Sequence, residues 1–309
     1  MPIRSRRKII QVKVESSYGV DAVPVVGTDD MLVSNFNISS NIRYVERNNA
    51  LPFFGHQGQI KVGDTMKLEF DIELAGSGAV ATKPGYSPIM RGCAMSETLT
   101  PTTGPTIYAL ITTGEESVTS YFNWDGQLHK ILGAYGTMEL RFNEGQVPVA
   151  HITLEGLYGG ITAVAFGTPV LTAFQKPLAM NKQNTTFNLH GFAAAFQSLT
   201  LTQGNTIDYI NRPNSERMQF NDRKSTGKVV IELPTVAAKD FESICRAETT
   251  GALALVHGTT AGNKVLIDAG QVQLTNPTKS ENGNTVMLNM DLVLQPTSAG
   301  NSEWTFKTQ

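Results

Sequence analysis

The strongest pattern in this chain lies at residues 67–74, where charged and apolar residues alternate without a break. The apolar members are Leu68, Phe70, Ile72 and Leu74, and the charged members are Lys67, Glu69, Asp71 and Glu73. Because successive side chains of a β-strand point to opposite sides, each set occupies one face of a strand, whereas a helix would scatter both sets. The pattern predicts a half-buried antiparallel strand with one dry face and one wet, mostly acidic face.

Weaker alternation predicts more strands in the first half of the chain. They are expected at residues 9–14, 31–38, 42–45, 106–110, 117–124, 127–132, 137–142 and 150–157. Asp125–Gly126, between two of these segments, is a strong signal for a two-residue hairpin turn. Clusters of Gly, Pro, Asn and Asp predict loops at residues 19–28, 48–63 and 76–84.

One short helix is predicted in the first half, at residues 87–95. Ser87 is its expected cap, and Pro88 suits the first turn of a helix. Its apolar face would be formed by Ile89, Met90, Cys93 and Ala94.

The same order of predicted elements returns in the second half. The matching segments are 198–201 with 35–38, 208–212 with 43–47, 228–233 with the end of the 67–74 strand, 270–274 with 136–140, and 288–291 with 152–155. A helix capped by Asp240 is expected at residues 240–246, with Cys245 where Cys93 falls in the first helix. Residues 213–226 are predicted as a polar loop.

We therefore predict a mainly β chain of two tandem sandwich or barrel domains with one short helix each. The first domain would span residues 1–160, an extended linker residues 161–186, and the second domain residues 187–309. The alternative is two unrelated β domains that share strand spacing.

The composition suits strands and turns and excludes a global affinity for nucleic acid. Only 17% of the 309 residues are charged, and the formal net charge is −2. No apolar run approaches the roughly 20 residues of a membrane helix. The first eight residues are basic but no apolar signal core follows, so we expect a solvated or flexible arm on a protein that is not secreted. Two cysteines, Cys93 and Cys245, are expected as buried thiols.

Catalytic constellations are missing from the sequence. The five histidines are scattered without metal spacing, and neither a nucleophile elbow nor a phosphate-binding loop occurs. We expect no cofactor, no metal and no enzymatic activity. Glu69 and Asp71 could imitate the acid pair of a glycoside hydrolase, although acids on a wet strand face are usually only solvated. Trp124 and Trp304 could stack on a sugar, although a strand tryptophan more often packs in a core or an interface.

The polar face of the predicted strands carries an excess of acids. The acids are Glu69, Asp71, Glu73, Glu139, Glu155, Glu232 and Asp291, and the bases are Lys67, Arg141 and Lys228. Seven acids against three bases leave this face at −4 while the whole chain is −2, so negative charge is concentrated there. Ordinary solvent-facing strands with a few extra acids would give the same count.

Several segments of the first half resemble the tail tube proteins of long-tailed bacteriophages. They are Lys13–Asp21, Leu32–Asn35, Val45–Arg47 before the long loop, and Glu73–Gly78 before the helix with Cys93. The second half is similar to that family only through its repeat of the first.

The resemblance implies a structural virion protein that assembles with itself. Tail tube domains form rings whose inner strands join into a ring-spanning β-barrel, and a chain with two such domains would form a trimeric, pseudo-sixfold ring. The seven acids would then face a channel for genome ejection, and an acidic channel repels DNA phosphates. The loop at residues 48–63 would contact the next ring, through Leu51, Phe53, Phe54, His56 and Ile60.

The partners that the resemblance implies are further copies of the chain, tape-measure proteins, and tail-terminator and tail-tip proteins. Double-stranded DNA would pass without specific binding, and no membrane is involved. The protein would be assembled in the host bacterial cytoplasm and would function in the virion tail. The alternatives are a two-domain β adhesin or capsid-decoration protein, and a glycoside hydrolase that uses Glu69 and Asp71.

Overall fold

The computed structural model describes residues 3–102 and 104–309, and their secondary structure is mainly β, with 53% strand and 4% helix. The first half contains β1 Lys8–Val14, β2 Asp30–Met31, β3 Ser34–Glu46, β4 Gln59–Glu73, α1 Ser87–Gly92, β5 Met95–Leu99, β6 Thr106–Leu110, β7 Val118–Trp124, β8 Gln127–Asn143 and β9 Val149–Ala163. The second half contains β10 Thr185–Leu189, β11 Phe196–Thr202, β12 Asn205–Arg212, β13 Ser215–Arg223, β14 Thr226–Glu232, α2 Phe241–Arg246, β15 Thr250–His257, β16 Val265–Asn282, β17 Thr285–Leu294 and β18 Thr305–Thr308. The predicted fold class, mainly β with two short helices, is confirmed.

Eight antiparallel strands form the central sheet, in the order β3-β4-β9-β8-β11-β14-β17-β16. The first four strands come from the first half and the last four from the second. Across the sheet, the strands of the first half occur in the order β3-β4-β9-β8. The corresponding strands of the second half occur in the same order, β11-β14-β17-β16. The two halves therefore have the same strand order and meet where β8 pairs with β11, with Leu140 opposite Leu201.

The remaining strands extend this sheet or lie beside it. In the first half β1 and β7 pair with each other, and β7 pairs with the start of β8. In the second half β10 and β15 pair with each other, and β15 pairs with the start of β16. The strand β18 lies between β16 and β6 and so ties the last part of the chain to the first half, with Phe306 opposite Tyr108. The hairpin β12–β13 forms a separate two-stranded sheet.

One hydrophobic core runs beneath both halves of the central sheet. Alternation in β4 directs Leu68, Phe70 and Ile72 into it, where each is buried. The same buried cluster continues through β8 and β11 to the strands of the second half, so sheet and core are continuous across the predicted linker. The division into two domains stays a prediction, which the repeated strand order supports.

The local turn and helix signals are largely correct. Asp125 and Gly126 have φ angles of 47° and 100°, as a two-residue hairpin turn between Trp124 and Gln127 requires. Asp240 caps α2 by accepting a hydrogen bond of 2.9 Å from the Ser243 amide. The predicted cap at Ser87 is wrong, because Ser87 is the first residue of α1 and its hydroxyl donates to Glu97 instead.

Several segments differ from the sequence prediction, including the helix at 87–95, which ends at Gly92 because β5 begins at Met95. The loop at 48–63 is shorter, because β4 already starts at Gln59. The predicted loop at 213–226 is mostly the strand β13. The strand β9 extends to residue 163, and only residues 164–184 of the predicted linker lack helix and strand. The loop predicted at 76–84 is present, and Gly78 within it donates to the Gly262 carbonyl at 2.8 Å.

The basic N-terminal segment is attached to the hairpin turn at Asp125. Its side chains are exposed, as expected of a solvated end, but Arg7 Nη1 lies 2.6 Å from Asp125 Oδ1. The Arg4 amide donates to the other Asp125 oxygen at 2.9 Å. Residues 1 and 2 lie outside the described residues.

Candidate functional site

The seven predicted acids lie on one face of the central sheet, opposite the core. The cross-strand register joins their positions into rows that run across the strands. One row contains Asp71, His151, Glu139, Thr202, Thr226, Val293 and Gln273. The next row contains Val149, Arg141, Thr200, Lys228, Asp291 and Thr275. We call this surface, with its acids and bases, the polar face.

Two of the three bases on the polar face are paired with acids from their own strands. Lys67 Nζ lies 2.6 Å from Glu69 Oε1, and Arg141 Nε donates to Glu139 Oε1 at 2.6 Å. The hydrogen bond from Lys67, supported by a second from Asn37, lowers the pKa of Glu69. These pairs partly neutralise the face at two places and leave the excess of acids elsewhere.

The excess negative charge is most accessible at Glu73 and Glu232, whose side chains are exposed. Within residues 3–102 and 104–309, neither of them forms an ion pair, and half-buried Glu155 and Asp291 form none either. These four carboxylates therefore dominate the field in front of the face.

Asp71 is an exception to the predicted wet face. Its side chain is only 8% exposed, and its two oxygens accept hydrogen bonds of 2.7 Å from Asn35 Nδ2 and 2.6 Å from His151 Nδ1. Asn35 reaches it from a bulge in β3 where its φ is 49°. Asp71 thus ties three neighbouring strands together on the polar face.

The second group of candidates lies on a projecting hairpin, which we call the arm. It consists of the C-terminal end of β3, the N-terminal end of β4 and residues 47–58, which form its tip. All five predicted contact residues are exposed: Leu51, Phe53, Phe54, His56 and Ile60. Phe54 is fully exposed and Phe53 is 67% exposed. Gln57 closes the tip by exchanging two hydrogen bonds with the Asn49 backbone. Several exposed aromatic and aliphatic side chains on one tip are typical of a contact surface.

Both tryptophans contact other side chains or the backbone of the protein. Trp304 is buried, and its indole N–H donates to Ser225 Oγ at 3.3 Å. Trp124 is half-buried between Phe122 and the ammonium group of Lys8, and its N–H donates to the Arg4 carbonyl. Trp304 is therefore out of reach of a sugar in this conformation.

Other kinds of site have little support among the described residues. No group of three His, Cys, Asp or Glu side chains lies close enough there to hold a metal ion. In the same part of the chain, no helix is long and apolar enough to span a membrane. Both cysteines are free, with Cys93 buried and Cys245 half-buried, and burial raises the pKa of both thiols.

A family model described as phage tail tube protein matches residues 5–293. The chain belongs to the phage tail tube protein family. The match covers nearly the whole chain, including both repeats of the strand order. Tail tube proteins are structural components of the virion tail that associate into a tube and with other tail proteins. A search of curated proteins finds no match.

The two edge strands of the central sheet, β3 and β16, could not be recognised from the sequence pattern. Among the described residues, β3 pairs with β4 and with no other strand, so its outer edge is open. On β16, Gln273 pairs with both β15 and β17, but beyond it, to Asn282, the pairing found in this part of the chain is with β17. Apart from Pro277, residues 275–282 are polar, so they give no alternation from which a strand could be predicted.

Proposed function

We propose that three copies of this tail tube protein close into a pseudo-sixfold ring through their central sheets. The rings stack into the phage tail tube, and the polar face lines its channel. Closure of a sheet into a barrel removes both open edges, which are otherwise a route to aggregation.

The observation that carries this proposal is the joint between β8 and β11. It connects the last central strand of the first half to the first central strand of the second half. The equivalent strands at the ends of the sheet are β16 and β3, which are the ones with open edges. Because the halves share their strand order, the internal joint is a template for the joint between copies.

The template also predicts the register of that joint. Arg141 faces Thr200 within the chain, and the strand pairings of the two halves relate these positions to Ser280 and Asn37. Arg141 and Glu73 share the partner Val149, as Ser280 and Glu232 share the partner Met287. Both counterparts are on the polar face, and we expect Ser280 of one copy to face Asn37 of the next.

Cysteine cross-linking combined with electron microscopy tests this assembly. In a Cys245→Ser background, Ser280→Cys with Asn37→Cys should give covalent trimers and rings under oxidising conditions, because directly opposed Cβ atoms are close enough for a disulfide. Ser280→Cys with Asn41→Cys, four residues out of register on the same face, is the matched control. Persistent monomers without rings, or equal cross-linking of both pairs, would contradict the proposal.

The acidic lining gives the proposed channel its mechanism. Acids in front of DNA phosphates keep the genome from adhering, and screening by salt weakens this repulsion. The triple variant Glu73→Lys, Glu155→Lys and Glu232→Lys should keep rings intact but slow DNA ejection. Asp71 is left unchanged because its hydrogen bonds hold three strands. Glu248→Lys, on an exposed turn, is the control. Unchanged DNA ejection in the triple variant would show that the charge of the channel lining does not control ejection.

The family and this geometry also support the wider assignment. We propose that the protein acts without enzymatic activity, is assembled in the host cytoplasm, and contacts tape-measure, terminator and tip proteins at the tube ends. Double-stranded DNA is a passing cargo in this account.

A further inference from the structure

The tail tube protein has a groove at the end of β3 opposite to the arm tip. The groove lies between residues 5–10, residues 31–36 and residues 169–171, and its volume is about 500 Å³. Its lining is largely apolar, and one of its side chains, Leu32, is 40% exposed. This volume is enough to admit aromatic side chains.

The arm tip and the groove occupy the two ends of one continuous strand. β3 begins at Ser34 in the groove and ends at Glu46, where the tip starts. A strand of this length spans about 40 Å, so the two surfaces are too far apart to meet within one chain. A projection at one end and a cavity at the other form a head-to-tail pair, the type of contact that repeats without closing and builds filaments.

The chemistry of the two surfaces is complementary. The tip presents Phe53 and Phe54, with Phe54 fully exposed to solvent. The groove offers apolar walls and the cations of Arg6 and Lys8. The Lys8 ammonium already lies between the rings of Phe36 at 5.4 Å and Trp124 at 4.7 Å, so the exposed Arg6 is the cation that can face an inserted ring. Aromatic side chains inserted into such a pocket are the usual anchors of protein interfaces.

The arm is braced so that its tip keeps a fixed direction. Asn211 on β12 donates to the Val62 carbonyl on β4 at 3.1 Å, and Arg43 on β3 lies 4.8 Å from the ring centre of Tyr209. The bracing hairpin itself ends in the polar turn at residues 212–215. The second half therefore supports the arm of the first half but carries no apolar tip of its own.

We propose that the arm tip of one copy inserts Phe53 and Phe54 into the groove of a copy in the adjacent ring. This proposal rests on the proposed stacking of rings and specifies its contact. Each chain contributes one tip and one groove, so stacking is threefold although the ring is pseudo-sixfold.

The test uses the cross-linked trimers described above. Phe54→Asp should leave the Ser280→Cys/Asn37→Cys trimers intact while shortening tubes at least tenfold in electron micrographs. Val236→Asp, at an exposed apolar residue of the second half, is the matched control and should leave tube length unchanged. A second pair in the Cys245→Ser background, Phe54→Cys with Leu32→Cys, should give a ladder of covalent species larger than trimers, whereas Val236→Cys with Leu32→Cys should not.

The outcomes separate the two proposals. Trimers without a ladder, together with normal tube length in Phe54→Asp, would overturn the groove contact and leave the ring in place. The absence of trimers in every variant would overturn both the ring and the contact that rests on it.

Discussion

The amide of Met218 donates a hydrogen bond of 2.6 Å to the hydroxyl of Tyr18, a residue 200 positions earlier in the chain. Tyr18 also contacts the ring of Tyr135 on β8, which in turn contacts Phe220 on β13. Burial raises the pKa of Tyr18, so its hydroxyl stays protonated at neutral pH. This group of side chains fixes the β12–β13 hairpin, and through it the arm, to the first half of the protein.

Tyr18→Phe should reduce the free energy of unfolding by about 1–2 kcal/mol, because it leaves the Met218 amide without its acceptor but keeps the aromatic contacts. Urea denaturation of the unassembled chain measures this change. Tyr44→Phe, on the exposed arm, is the matched control and should change stability little. Equal stability of both variants would mean that the hairpin is held without this hydrogen bond.

Gly76→Ala should destabilise the contact between the two halves. A Cβ atom at this position would lie 2.2 Å from the backbone oxygen of Gly262, which has no side chain to rotate away. Overpacking of this kind costs about 1–3 kcal/mol, visible as a lower urea midpoint. Gly270→Ala, whose Cβ would meet nothing within 4 Å, is the control. A Gly76→Ala protein as stable as Gly270→Ala would show that the two loops separate freely.

Arg223→Met should be among the most damaging single substitutions outside the hydrophobic core. The guanidinium group lies 2.9 Å from Glu303, with side chains that are 12% and 9% exposed, and it also donates to the Ile111 carbonyl. Removing one partner of a buried pair costs about 3–5 kcal/mol.

The neighbouring surface pair provides the control for this prediction. Lys224 and Asp222 are 3.7 Å apart and both largely exposed, so Lys224→Met should cost less than about 1 kcal/mol. Thermal or urea unfolding compares the two variants. Similar losses in both would argue that the Arg223 pair is hydrated in solution.

Acidification below pH 6.5 should destabilise the folded chain. Burial lowers the pKa of His257, whose ring lies between the Thr185 hydroxyl and the Leu178 carbonyl, and burial also lowers the pKa of His129 and His190. The unfolded chain then binds more protons than the folded chain between the folded pKa and about 6.5, so the unfolding free energy falls as pH falls through that window.

His257→Gln tests the origin of this pH dependence. The variant should show a smaller loss of stability between pH 7.5 and pH 5 than the wild-type protein, measured by urea denaturation at each pH. His56→Gln, at the exposed arm tip, is the control. An unchanged pH profile in His257→Gln would assign the effect to other groups.

The local part of the fold was predictable because its signals are local. Phe70 and Ile72 are buried as their alternation requires, and Asp125–Gly126 makes the turn that its residue types favour. The seven acids could be assigned to a common face because a strand has a side-chain period of two. Asp71 could not be recognised as buried, since its partners Asn35 and His151 come from other strands.

The parts that were missed depend on distant segments or on weak patterns. The strand β13 alternates poorly between polar and apolar residues and is stabilised by pairing with β12, so it resembles a loop in the sequence. The place of β18 between β16 and β6 is set by a pairing that spans about two hundred residues, with Phe306 opposite Tyr108. The groove is likewise assembled from three separate segments and has no contiguous motif.

The joint between β8 and β11 has a consequence for how assembly responds to dilution. Because both strands belong to one polypeptide, their effective concentration is set by the connecting chain rather than by the amount of protein present. The proposed ring of three chains needs only two bimolecular encounters and one closing contact to make its six joints. In that scheme, intermediates with an odd number of half-chain units cannot arise, so fewer incorrect stoichiometries compete with the ring.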